Sequence, residues 1–113
     1  MDARELRERT LEFGLRIVRL CQYLQGHPVA EVLGKQLLRC GTSIGANVAE
    51  AEKGQSKADF NAKMNIAMKE ANETYYWLRL LYRTEYLNKT QLIKFTCFYI
   101  HVIACRVGEK AYA

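Results

Sequence analysis

Three stretches of this chain carry a core-type side chain at every third or fourth position for six or seven residues in succession. Leu6, Thr10, Phe13, Ile17, Leu20 and Leu24 form the first series; Leu33, Leu37, Cys40, Ile44, Val48 and Ala51 the second; Phe60, Met64, Ala67, Ala71, Thr74, Leu78 and Leu81 the third. Steps of three and four follow the 3.6-residue turn of a helix, so each series draws one continuous stripe down one face. Leu11, Leu15 and Val18 widen the first stripe. A half-buried strand would need alternation at every second residue, and the chain contains no such run.

The breaks between the stripes are short. Gly26 and Pro28 in "GHP" end the first helix, because Gly suits the position past a C-terminus and Pro cannot continue the hydrogen-bond ladder. "KGQS" ends the second, and Ser56 with Asp59 three residues on resembles a capping box. "LNKTQ" turns the chain again, with Asn88 and Gln91 giving a second signal of that kind. A fourth helix follows. In residues 92–105, "LIKFTCFYIHVIAC", eleven of fourteen side chains are apolar and occupy every side of the helix. A helix apolar all round must be covered all round. A bundle of this size covers only part of it, so a second subunit is the expected cover. The reading is all-α: one domain over residues 1–113, an antiparallel up-down-up-down four-helix bundle with helices at about 3–25, 29–52, 56–87 and 89–110.

Gly41 and Gly45 stand one turn apart inside the second helix, with Ala49 a turn further on. Each interior glycine costs about 1 kcal/mol relative to alanine. A close approach by another helix offsets that cost; a local kink at "GTSIG" is the alternative, and the two can coexist. The adjoining face is polar, with Gln36, Arg39, Ser43, Asn47 and Glu50 in helical register. Arg39 and Glu50 then need partners on another helix, and Glu70 and Glu73 are the candidates, giving an expected structural polar network of Arg39, Ser43, Asn47, Glu50, Glu70 and Glu73.

The net charge is +5, compatible with a nucleic-acid or other anionic partner. Residues 88–113 hold Lys89, Lys94, Arg106 and Lys110 against Glu109 alone. In the first helix Glu5 to Arg9 and Glu12 to Arg16 are favourable i,i+4 pairs, so its arginines are not read as a free basic patch. Tyr75, Arg79, Tyr82, Arg83 and Tyr86 bring aromatic and basic groups together at the end of the third helix. Such groups stack on unpaired bases and meet phosphates; the other reading makes the rings core or interface, with arginine stems reaching outward. Arg79, Arg83, Lys89, Lys94, Arg106 and Lys110 are the expected phosphate-facing set.

Enzymatic readings fare poorly. Cys97, His101 and Cys105 fall at i, i+4 and i+8, but i and i+8 are about 12 Å apart along a helix, too far for one zinc ion. The Glu-x-x-His pairs of di-iron bundles are absent, no glycine-rich phosphate loop ends in G-K-[ST], and no nucleophile has a recognisable base. No catalytic, metal or cofactor site is expected. Four cysteines without a C-x-x-C pair, charged residues 1–12 in place of a leader, and no long apolar run point to a cytoplasmic protein with reduced thiols and no membrane span.

The segment "QLLRCGTSIGANVAEAEKGQSKADFNAKMNIAMKEANETYYWLRLL" resembles the signature of the four-helix-bundle proteins encoded by intervening sequences of bacterial 23S ribosomal RNA genes. Arg39, Ser43, Ile44, Asn47, Val48, Ala49 and Glu50 match its first half, and Ser56, Phe60, Ala67, Glu70 and Glu73 its second. The chain departs at Ala51, where glycine usually follows the glutamate, and at "MKEA", where many members have a glycine-serine pair. That family is similar to the accessory proteins of diversity-generating retroelements, which are homopentamers with a basic surface that bind nucleic acid and associate with a reverse transcriptase. The resemblance implies a homo-oligomer, a pentamer on that model, with RNA or DNA and a reverse transcriptase as partners. The resulting expectation is a non-enzymatic RNA/DNA-binding accessory protein; a protein-interaction scaffold without a nucleic-acid role is the competing one.

Overall fold

The structure, a computed structural model, describes residues 2–107, with side chains described through Phe98. Four helices follow one another: α1 (Ala3–Leu24), α2 (Pro28–Glu52), α3 (Lys57–Arg83) and α4 (Lys89–Val107). They form an all-α bundle with no strand among the described residues. Connections of a few residues make sequential neighbours antiparallel. α2 packs on α1 and α3, α4 packs on α3, and a looser seam between α1 and α4 closes the ring.

The helix starts show why each forms where it does. The Asp2 side chain accepts the Glu5 N–H at 2.8 Å and caps α1. Pro28 opens α2 at its first turn, where its missing N–H is no loss. Ser56 accepts the Asp59 N–H at 3.1 Å. The return limb of this box does not form, since aspartate is one methylene shorter than the usual glutamate. At α4 both limbs close: Asn88 accepts the Gln91 N–H and Gln91 accepts the Asn88 N–H, each at 2.8 Å.

α3 ends at Arg83 rather than near Leu87. The Tyr86 N–H reaches back to the Leu81 carbonyl (2.8 Å) and the Glu85 N–H to that of Tyr82 (3.0 Å), with Glu85 at φ 72°. This is a Schellman stop whose left-handed position holds a glutamate in place of the usual glycine. The turn carries Leu87 back into the core.

The α1 stripe from Leu6 to Leu24 and the α3 stripe from Phe60 to Leu81 are buried residue for residue. α2 buries Ala30, Gly34 and Gly41 as well, and leaves Leu33 half-buried. Leu11 (59 % exposed), Leu15 (45 %) and Val18 (38 %) do not widen the core stripe; they face outward. On α4, Phe95 is buried and Phe98 half-buried, packed against Phe13 with ring centroids 5.6 Å and 4.2 Å away. Ile93 (50 % exposed) and Cys97 face out. The described half of α4 therefore shelters its aromatic rings within the subunit. Ile103 and the end of the expected fourth helix lie outside the described side chains.

Candidate nucleic-acid interface

Gly41 and Gly45 lie where α1 crosses α2. A Cβ on Gly41 would stand 2.9 Å from both Cγ1 and Cγ2 of the buried Ile17, and one on Gly45 would stand 3.3 Å from the Thr10 carbonyl oxygen. A side chain at Gly41 would force Ile17 to shift, and one at Gly45 would fit only tightly against α1. Ala49 continues this line at the edge of an open apolar groove of about 500 Å³. Leu11, Leu15 and Val18 of α1 line it, with Ala46 of α2 opposite.

The polar residues of α2 resolve into three groups. Arg39 reaches α3, where it pairs with Glu70 at 3.5 Å and more closely with Glu73. The Trp77 indole N–H donates to the same Glu73 carboxylate at 3.0 Å. The Trp77 hydrogen bond first, and Arg39 second, hold the Glu73 carboxyl below its ordinary range. Glu50 stands apart from these acids and pairs with Lys63 at 2.7 Å. Asn47 bonds the Ser43 carbonyl and hydroxyl within α2. The first two groups tie α2 to α3 from the solvent side, and no buried side-chain nitrogen or oxygen lacks a partner among the described residues.

A second charged region behaves differently. A cleft of about 1190 Å³ opens between α1, the end of α3 and the start of α4. Its cations are Arg16 and Arg19 from α1, Arg83 from α3 and Lys94 from α4; Glu85 is its one lining acid. Arg16 sits 3.6 Å from Glu12 with both side chains about half exposed, a weak pair in water. Arg19, Arg83 and Lys94 have no acid within ion-pair distance among the described residues. Tyr23, Tyr82 and Tyr86 share the lining.

Of the six phosphate-facing residues expected from sequence, Arg83 and Lys94 enter this cleft. Arg79 instead lies over the Tyr75 ring, 5.7 Å from its centroid. Lys89 is exposed at the start of α4, outside the lining. The Arg106 side chain and Lys110 lie outside the description. Arg16 and Arg19 are missing from the expected set because i,i+4 pairing in the sequence counts α1 as largely neutral. Glu5 and Arg9 are not within pairing distance, and Arg7 pairs across to Glu52 at 2.8 Å. The signal for Arg19 was available: none of Leu15, Arg16, Gln22 and Tyr23, its neighbours three and four residues away, is acidic.

Burial disfavours the thiolate at Cys21 and Cys40. Burial, with the neighbouring Cys40 adding to it, pushes the Cys21 thiol up to about 11, and burial raises Cys40 as well. No cluster of three or more His, Cys, Asp or Glu that could hold a metal occurs among the described residues. His101 and Cys105 fall outside them. No described helix is long and apolar enough to cross a membrane.

The model of the 23S rRNA-intervening sequence protein family matches residues 4–104, nearly the whole bundle. The chain belongs to this family. A family relative supports the architecture: the crystal structure of a protein with unknown function from the S23 ribosomal protein family of Bacteroides thetaiotaomicron VPI-5482 is 46 % identical. The similarity covers 96 % of this chain and 100 % of that one, with a TM-score of 0.85. No curated protein matches the chain.

Proposed function

We propose that this family member is a non-enzymatic, self-associating bundle that binds RNA or DNA through its basic cleft. The observation that carries the reading is the excess of Arg16, Arg19, Arg83 and Lys94 over Glu85 in one concave surface. Cations brought together in excess of acids repel one another, and a polyphosphate relieves that repulsion while releasing its own counterions. Arg79 and Lys89 extend the basic surface beyond the cleft, and Arg106 and Lys110 join it on sequence alone. Interleaved tyrosines suit nucleic acid better than a purely acidic partner.

Self-association draws on the α1–α2 groove, where Leu11, Leu15 and Val18 leave apolar surface in water. Five copies and a reverse transcriptase partner are what the accessory-protein resemblance adds. The same groove favours the second reading, a protein-interaction scaffold.

One preparation separates the two. Purified protein is expected to carry nucleic acid, seen as a raised 260/280 nm absorbance ratio that falls on nuclease treatment, and to sediment above its 13.1 kDa subunit mass. A protein-only absorbance ratio before nuclease favours the scaffold. A 13.1 kDa particle at micromolar concentration overturns self-association.

A further inference from the structure

We propose that the cleft takes unpaired nucleotides of a single strand, with Tyr23 as the stacking platform, and discriminates against duplex; this rests on the nucleic-acid reading of the same cleft. Tyr23 projects from the last turn of α1 and is 63 % exposed although it lines the cleft. Its ring lies 6.0 Å from His27 at 39°, and His27 lies 5.7 Å from Tyr86 at 67°. Tyr86 is held at the other end: the Schellman turn aims it, and it packs half-buried against the core. The three rings make an aromatic wall, with Tyr86 and Tyr23 lining the cleft and His27 between them outside its lining.

The cations are placed to follow a strand that meets this wall. Arg16, Arg19 and Tyr23 are spaced three and four residues apart on one face of α1. Arg19 is thus about 6 Å and Arg16 about 10 Å along the helix from the ring. A base stacked on Tyr23 runs its backbone past both guanidinium groups, with Arg83 and Lys94 also lining the cleft. The volume, about 1190 Å³, exceeds the roughly 300–1,000 Å³ of small-molecule pockets and suits a length of chain better than one free nucleotide. A duplex keeps its base faces stacked and its phosphates outside, so it can meet the rim cations and not the rings. Asn88 and Gln91 also line the cleft, each with its side-chain oxygen accepting the other's backbone N–H. Stacking on a ring reads no base edge, so recognition that rests on Tyr23 is tolerant of sequence.

The test compares single-stranded RNA, single-stranded DNA, the matching duplex and polyglutamate, by fluorescence anisotropy at fixed salt, on wild type and variants. Single strands are expected to bind at least ~10-fold tighter than duplex. Tyr23→Ala should weaken single-strand binding by roughly 5- to 100-fold while sparing duplex, and Tyr23→Phe should retain it. Tyr76→Ala, an exposed tyrosine outside the cleft, serves as control. The strand type that loses more on Tyr23→Ala names the source, RNA or DNA. Equal binding of duplex and single strand, polyglutamate as tight as either strand, or an unaffected Tyr23→Ala overturns the proposal. If Arg19→Ala then still weakens every nucleic acid, the basic-cleft reading survives alone. Absence of binding to any nucleic acid overturns both.

Discussion

The α2–α3 face and the cleft beside α1 are both rich in charge, and they differ in what the charges meet. On the first, Arg39 faces Glu70 and Glu73, Lys63 faces Glu50, and Trp77 adds a neutral donor. Those groups satisfy one another and hold two helices in register. In the second, four cations from three helices share one lining acid, and among them Arg16 alone has an ion pair, a weak one with Glu12. Charge that is neutralised internally serves the fold, whereas charge left unmatched in a concave surface is available to something else.

The strongest way to break this contrast is charge reversal on each side. Arg19→Glu combined with Lys94→Glu should lower affinity for nucleic acid by roughly 100-fold at low salt, with an unchanged helical circular-dichroism spectrum. Arg39→Glu should leave affinity within about 2-fold and lower the melting temperature instead. Equal losses of affinity from the two would erase the distinction.

Packing substitutions should change stability without changing affinity. Gly41→Ala forces a Cβ against Ile17, and urea titration should show a loss of about 1–2 kcal/mol after the helix-propensity gain is subtracted. Gly14→Ala meets nothing within 4 Å and should gain up to about 1 kcal/mol.

Glu85, in the cleft, bears on both stability and binding. It occupies a left-handed backbone position at φ 72° and supplies the cleft's one lining acid. Glu85→Gly should raise stability by about 1 kcal/mol and raise nucleic-acid affinity a few-fold, measured by urea titration and anisotropy. A gain in neither would mean that the turn is unstrained and the acid does not face the ligand.

The smallest effect is a pH dependence. The Glu73 carboxyl titrates below its ordinary value of 4.5, so the stability it contributes is fully present above about pH 4.5. That contribution fades as pH falls below this value and the carboxylate protonates. Glu73→Gln should flatten the acid limb of the stability curve there and leave neutral-pH binding unchanged. An unaltered acid limb would show that Trp77 and Arg39 do not hold this carboxylate in solution.

The bundle was legible because burial in α1 and α3 follows a stripe that large apolar residues mark plainly. It blurred where size stops reporting burial: Gly34 and Gly41 are core residues with no side chain to count. Leu11, Leu15 and Val18 show the converse, since an apolar residue beside a stripe is buried only if a neighbour reaches it, and none does within this subunit. The stop at Arg83 escaped notice because the left-handed residue after it is not a glycine. Arg83 and Lys94 could be nominated from charge alone. Their meeting with Arg16 and Arg19 could not, because it depends on how α1 faces the turn between α3 and α4, a contact between segments some seventy residues apart in the chain.

If cations in excess of acids make the cleft a phosphate site, salt competes directly with what it binds. Binding of the intact protein to a single-stranded ribosomal RNA fragment should weaken steeply with salt. With four cleft cations each engaging a phosphate, the slope of log affinity against log salt should be about −3. A slope near zero at measurable affinity would contradict the account.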